Sequence, residues 1–295
     1  MKELWQKFLD YLNHPAHVRP LCLYRVFLGL LVFGETVTWL PHTMELFSNQ
    51  GVHVGVMDAY APDPSTASLL CWVLVASALF VSLGLLTKPA LVTNLVVLGF
   101  LVSIDQVDAA LFTRNTISGV VLFLLVFTPC NRFYSVDAWL LSRWKPDREA
   151  AEETMPGLMF RLVQIVFLQM YLFSGLHKLL EESWRHGSAL ADAWSGRFGT
   201  DLGLWLAGWM PLIGYKLMSL GSIGFELLAP WGLNSRRWVG WFVLAGMALH
   251  VGIQLTLHVG ILGYHFMLAI IFLFAIPGGL IYPKHFLKKP AEVEA

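Results

Sequence analysis

GLMFRLVQIVFLQMYLFSGLHKLL, residues 157–180, is a long apolar run with a lysine near its end. At 1.5 Å per residue it is long enough to cross the ~30 Å hydrocarbon core of a bilayer. A cation on a membrane helix costs roughly 2.5–3.5 kcal/mol at the centre and less near an end, where the side chain snorkels. Lys178 has Tyr171 and Ser174 at seven- and four-residue offsets and Gln164 further along the same face. These residues stack in one stripe. A polar stripe on an apolar helix points into a protein interior or a wet cavity. The function is expected there.

The rest of the chain agrees with a membrane reading. Charged residues make up 14% of the sequence, against about 25% for a soluble domain. The 20 basic and 20 acidic residues give zero formal net charge, so there is no electrostatic case for nucleic acid. Twelve Trp and 20 Phe suit interfaces and helix packing. Cys22, Cys71 and Cys130 are odd in number and widely spaced, with no CxxC pair, and read as small apolar residues.

Apolar runs at 21–40, 67–86, 90–104, 117–129, 157–180, 212–233, 238–257 and 261–281 predict an all-α, polytopic membrane helical bundle of about eight transmembrane helices. The third and fourth runs are short. Residues 201–210 read as a separate interfacial or re-entrant piece. Residues 1–20 are an amphipathic interfacial segment, with Trp5, Phe8, Leu9 and Leu12 on one side. Residues 284–295 are a short tail, and the chain 1–295 is a single domain. The segment before the first span carries Lys2, Lys7 and Arg19. The loop 41–66 carries Glu45, Asp58 and Asp63 and no Lys or Arg. Arg132, Arg143, Lys145 and Arg148 follow the fourth span, and Arg236 and Arg237 the sixth, with Lys284, Lys288 and Lys289 in the tail. This alternation puts both termini in the cytoplasm.

In that orientation Lys178, His250, His258, Tyr264, His265, Glu35 and Arg114 converge on the outer depth. Arg25, Arg161 and Glu226 lie toward the inner side. Each has a plainer reading. Lys178 alone is a snorkelling interface lysine. His250, Gln254 and His258, at four-residue steps, are interhelical hydrogen-bonding groups. Glu35 pairs with a neighbouring cation. Arg25 and Arg161 are topology anchors, and Glu226 pairs inside the bundle or caps a helix. Gly29, Gly119, Gly240 and Gly246 are close-packing positions. His250, His258 and His265 lack a carboxylate at a recognisable spacing, and no metal is expected.

The stretch 169–179, QMYLFSGLHKL, with Trp184 and Gly187 after it, resembles the catalytic-lysine segment of vitamin K-dependent gamma-carboxylase. Lys178 falls on the position of that family's base, and His177 replaces its first basic residue. NRFYSVD at 131–137 resembles the family's post-helix Ser-Val-Asp turn. His250, Gly260 and Tyr264 match its penultimate hairpin, and Arg25, Gly29 and Gly51 fit the wider horizontally transferred transmembrane (HTTM) domain family. The likeness covers nearly the whole chain and rests on the order of four weak motifs. Two features depart from it. Arg114-Asn115-Thr116 stands where the carboxylase has an Asn-His pair. The chain also stops after the bundle, where the carboxylase continues into a large lumenal domain. Gamma-carboxylation of a propeptide-bearing protein is therefore not expected.

The resemblance implies that a neutral Lys178 deprotonates a reduced naphthoquinone of the vitamin K or menaquinol type. Oxygen then yields a strong base, which removes a carbon-bound proton, and the carbanion captures carbon dioxide. Partial burial disfavours the charged form of an amine, which suits a lysine base. Lys178 and His250 are the implied catalytic residues. Tyr171, Ser174, His177, Arg114, Asn115 and Tyr264 are the implied cofactor-binding residues. The implied setting is a bacterial plasma membrane with the active face outside. Its partners are membrane lipid, a quinone reductase or thiol-disulfide oxidoreductase, and a peptide or small-molecule substrate. Two other classes stay open. One is a non-catalytic quinone- or lipid-binding subunit of an oxidoreductase. The other is a small-molecule transporter, which should show pseudo-symmetry and broken helices at the midplane.

Overall fold

A computed structural model describes residues 2–52, 57–104, 109–145, 152–277 and 280. The tail 284–295 lies outside the described residues, as does Arg148. An amphipathic helix, α1 (Lys2–Asn13), opens the chain. A two-residue strand, β1 (Ala16–His17), then leads into α2 (Arg19–Trp39) and the short α3 (Thr43–Phe47). Next come α4 (Pro64–Leu83), α5 (Thr87–Ile104), α6 (Ala109–Val126) and α7 (Val136–Trp144). Strand β2 (Thr154–Met155) pairs antiparallel with β1, Ala16 opposite Met155, and delivers the chain to α8 (Gly157–Leu180). Short helices α9 (Glu182–His186), α10 (Ser188–Ser195) and α11 (Asp201–Ala207) precede α12 (Leu212–Gly232) and α13 (Val239–Thr256). Helix α14 (Leu262–Ala269) runs on into a π-helical stretch, Ile270–Ala275.

Among the described residues six helical segments are long and apolar enough to cross a membrane, so the chain is a multi-pass integral membrane protein. They are Arg19–Phe47, Pro64–Leu83, Thr87–Ile104, Gly157–Leu180, Leu212–Gly232 and Val239–Thr256. The fourth and eighth apolar runs form shorter helical pieces, Asn115–Val126 and Leu262–Ala275. The third run is longer than its composition suggests because it starts at Thr87. Asp137 caps it from α7, accepting from Leu86 N at 2.8 Å, Thr87 N at 2.8 Å and Thr87 Oγ1 at 2.6 Å. Lys88, one residue on, donates to the carbonyls of Leu125, Val126 and Thr128 at the end of α6.

Helix α2 packs on α4, α4 on α5, α5 on α6, and α8 on α12. Hydrophobic transfer does not drive these contacts within lipid, so close van der Waals packing must. Gly29 lets α2 approach α4, where a Cβ would stand 2.5 Å from Ser82 N. Gly246 likewise admits Ile270 and Phe225, whereas Gly119 has only ordinary contact with Leu95. Arg25 is fully buried and is a structural tie, not the topology anchor its position suggests. Its guanidinium donates to the carbonyls of Val81 (2.5 Å), Ser82 (3.0 Å), Cys130 (3.1 Å) and Tyr134 (2.5 Å). A cation at helix C-terminal carbonyls is favourable. Cys22, Cys71 and Cys130 are free and buried.

Candidate functional site

Helix α8 carries the polar stripe, which meets the π-helical end of α14, then α13, then α12. Gln164 is buried and donates from Nε2 to Leu273 O at 2.6 Å, while its Oε1 accepts from Arg161 Nη1 at 2.7 Å. A π-turn displaces carbonyls from regular pairing, and Leu273 lies in that stretch.

Two turns further along α8, Tyr171 is buried, and its Oη is hydrogen-bonded to His250 Nε2 of α13 at 2.7 Å. The His250 ring stacks on Phe266, with centroids 4.7 Å apart and planes 5° apart. Tyr171 meets Phe225 edge-on at 5.3 Å and Phe266 at 4.9 Å. These contacts hold tyrosine and histidine in an aromatic wall.

Lys178 closes the stripe. Its ammonium donates to Glu226 Oε1 at 2.5 Å and to Ser222 Oγ at 3.4 Å, and it stands 4.7 Å from the centroid of the Trp184 ring. The pair is enclosed: the side chains are 15% and 7% exposed. Glu226 Oε2 is buried without a hydrogen-bond partner among the described residues. Gly175 makes the meeting possible. A Cβ there would lie 3.0 Å from Glu226 Cβ and 3.0 Å from Leu227 N. Further out, Gly187 (φ +87) lies against the backbone of Tyr215 and Lys216, and Ser219 donates to Trp184 O. These contacts hold one antiparallel register in which α12 extends past the end of α8. Glu226 therefore comes level with the last turns of α8, although counting from the span ends places it deeper.

The other expected residues are less closely grouped. Ser174 is half-buried on the stripe, and His177 is exposed. Tyr264 is 44% exposed, and the structure does not bring it to Lys178. Asn115 is buried in α6, and the side chain of Arg114 lies outside the described residues. His258 is not on the helical face of His250, because α13 ends at Thr256 and His258 N donates instead to Phe198 O at 2.7 Å. Among the described residues no group of three or more His, Cys, Asp or Glu could hold a metal ion.

Sequence reading missed Glu226 and Ser222 as the partners of Lys178, and missed Phe225 and Phe266. A signal existed for the first two. An intramembrane carboxylate is expected to pair with a cation, and Ser222 and Glu226 share a face at a four-residue step. His265, which the sequence reading grouped with His250, is fully buried, and its Nε2 is hydrogen-bonded to Ser118 Oγ of α6 at 2.8 Å, a partner that reading did not find.

A family model described as HTTM domain matches residues 13–277. No curated protein and no solved structure matches the chain.

Proposed function

The chain belongs to the HTTM domain family, and on that premise we propose that it carries out quinol- and oxygen-dependent chemistry of the carboxylase type, with Lys178 as its base. The observation that carries this reading is the Lys178–Glu226 pair. A lysine acts as a base only in its neutral form. Glu226 Oε1, at 2.5 Å, is the atom placed to take the proton that Lys178 gives up. Neutral Lys178 Nζ would then be able to take a proton from a quinol hydroxyl held beside it. One proton moves to Nζ and one moves from Nζ to the carboxylate, so Glu226 is the final acceptor. The Trp184 ring sets an apolar face against the ammonium, its centroid 4.7 Å from Lys178 Nζ.

When bound, a reduced naphthoquinone supplies the electrons that turn oxygen into a strong base. The chain's residues fit such a group in their chemistry. Tyr171, Phe225 and Phe266 provide aromatic faces beside a buried carboxylate oxygen that lacks a partner. Tyr171 and Ser174 would hold it on the stripe, and His250 positions Tyr171. Regenerating the quinol requires a reductase, either a quinone reductase or a thiol-disulfide oxidoreductase. The substrate is a peptide or small molecule met at the non-cytoplasmic face of a bacterial plasma membrane, and the basic loops face the cytoplasm.

A second reading, a non-catalytic quinone- or lipid-binding subunit, is favoured by one observation: Lys178 and His250 are both already paired in the interior. Glu226→Gln separates the two. It keeps the shape and a hydrogen bond to Lys178 but cannot take its proton. Quinol-dependent oxygen uptake in membranes, followed with labelled bicarbonate, should fall by about 10²–10⁴. Undiminished uptake and incorporation in the Gln variant would overturn the relay.

A further inference from the structure

A second site lies at the end of the bundle that carries the basic turn between α12 and α13. A cavity of about 920 Å³ opens there under α1. We propose that it binds the phosphate of an anionic phospholipid. The proposal does not rest on the Lys178 reading.

The cavity has two kinds of wall. Its polar side carries Arg161, Arg236, His14, His17 and Asn234. The Arg161 guanidinium stands 4.4 Å from the centroid of the Tyr11 ring and donates from Nη1 to Gln164. Its Nε is buried with no hydrogen-bond partner among the described residues. A buried guanidinium N–H without an acceptor is costly and calls for one, and a phosphate oxygen matches guanidinium geometry. Arg236 is exposed and supplies a second cation. Asp10 is the acidic residue on the wall, and it already accepts from Gln6 Nε2 at 3.0 Å. An apolar side is built from Phe160, Leu233, Val239, Leu273 and Phe274.

A cationic mouth over an apolar wall suits a lipid better than a free anion. Basic pockets between membrane helices bind lipid headgroups. The roof also sits at headgroup depth, because α1 is an amphipathic helix of the kind that lies in the interface, with Trp5 61% exposed. Tyr11 ties that roof to the α12–α13 turn, donating to Asn234 Oδ1 at 2.9 Å.

The test uses the full chain in detergent, incubated with equal amounts of phosphatidylglycerol and phosphatidylcholine of identical acyl chains. Native mass spectrometry then counts the lipid retained. The wild type should retain phosphatidylglycerol preferentially. Arg161→Gln with Arg236→Gln should weaken that retention about tenfold, and Arg161→Lys, which lacks the Nε–H and the guanidinium fork, should also weaken it. Equal retention of both lipids, or an unchanged preference in the double variant, overturns the proposal. If the double variant does not fold, Arg236→Gln alone decides, because Arg236 is exposed; a preference that it leaves intact is the overturning result. A parallel arm adds inorganic phosphate to lipid-free protein. Phosphate raising the unfolding midpoint as much as phosphatidylglycerol does assigns the site to the free anion and overturns the lipid.

Discussion

Lys178 donates to Glu226 Oε1 at 2.5 Å across the α8–α12 interface, at the level where Gly175 brings the two helices together. Both side chains are nearly enclosed. Removing either charge leaves the other buried and unpaired, which is costlier than never having built the pair. The contact therefore couples the register of two spans to the position of the candidate base.

Glu226→Ala should cost about 3–5 kcal/mol, the range for breaking one side of a buried pair. The apolar double variant, Lys178→Met with Glu226→Leu, should recover most of that loss. Unfolding of wild type, Lys178→Met, Glu226→Leu and the double variant in mixed micelles gives the double-mutant cycle. Small, additive effects would show that the two charges do not depend on each other.

Gly175→Ala should destabilise the bundle by about 1–3 kcal/mol, the cost of overpacking a tight contact. The new methyl meets Glu226 Cβ and Leu227 N at 3.0 Å and pushes α12 outward. It should also weaken the Lys178–Glu226 coupling in the same cycle. A variant with both quantities unchanged would contradict the close approach.

Asp137 gives the chain an acid-sensitive joint outside the spans. Burial pushes its carboxyl up, but hydrogen bonds from Thr87 Oγ1, Thr87 N and Leu86 N outweigh that and hold its pKa below the ordinary value. A depressed folded pKa gives stabilisation that is present above the unfolded value of about 3.9 and is lost as pH falls through the folded one. Asp137→Asn should therefore be less stable than wild type at pH 7, with the gap closing below about pH 4. Unfolding midpoints measured across that range check it. A gap that does not change with pH would contradict the shift.

Much of the fold is legible in the sequence where the cause is local. The run 157–180 coincides with α8, which is bounded by Pro156 and Glu181. The stripe of Gln164, Tyr171 and Lys178 also points inward, as the helical period requires. What escaped reading depends on partners distant in sequence. The start of α5 at Thr87 is set by Asp137, fifty residues on. The pairing of Glu226 with Lys178 depends on the stagger of α12 past α8, and counting depth from span ends assumes that no such stagger exists. His258 left its expected face because the chain after Thr256 turns to bridge Gly199 to Leu257, which helical spacing alone does not show.

The most direct test of the central claim is Lys178→Arg. Arginine keeps the charge and can still pair with Glu226, so the variant should fold with an unfolding midpoint close to wild type. It cannot deprotonate near neutral pH, so it cannot serve as a base. Quinol-dependent oxygen uptake in membranes should then be lost in Lys178→Arg as fully as in Lys178→Ala. Full uptake in the folded arginine variant would contradict the base role and leave Lys178 as a structural cation.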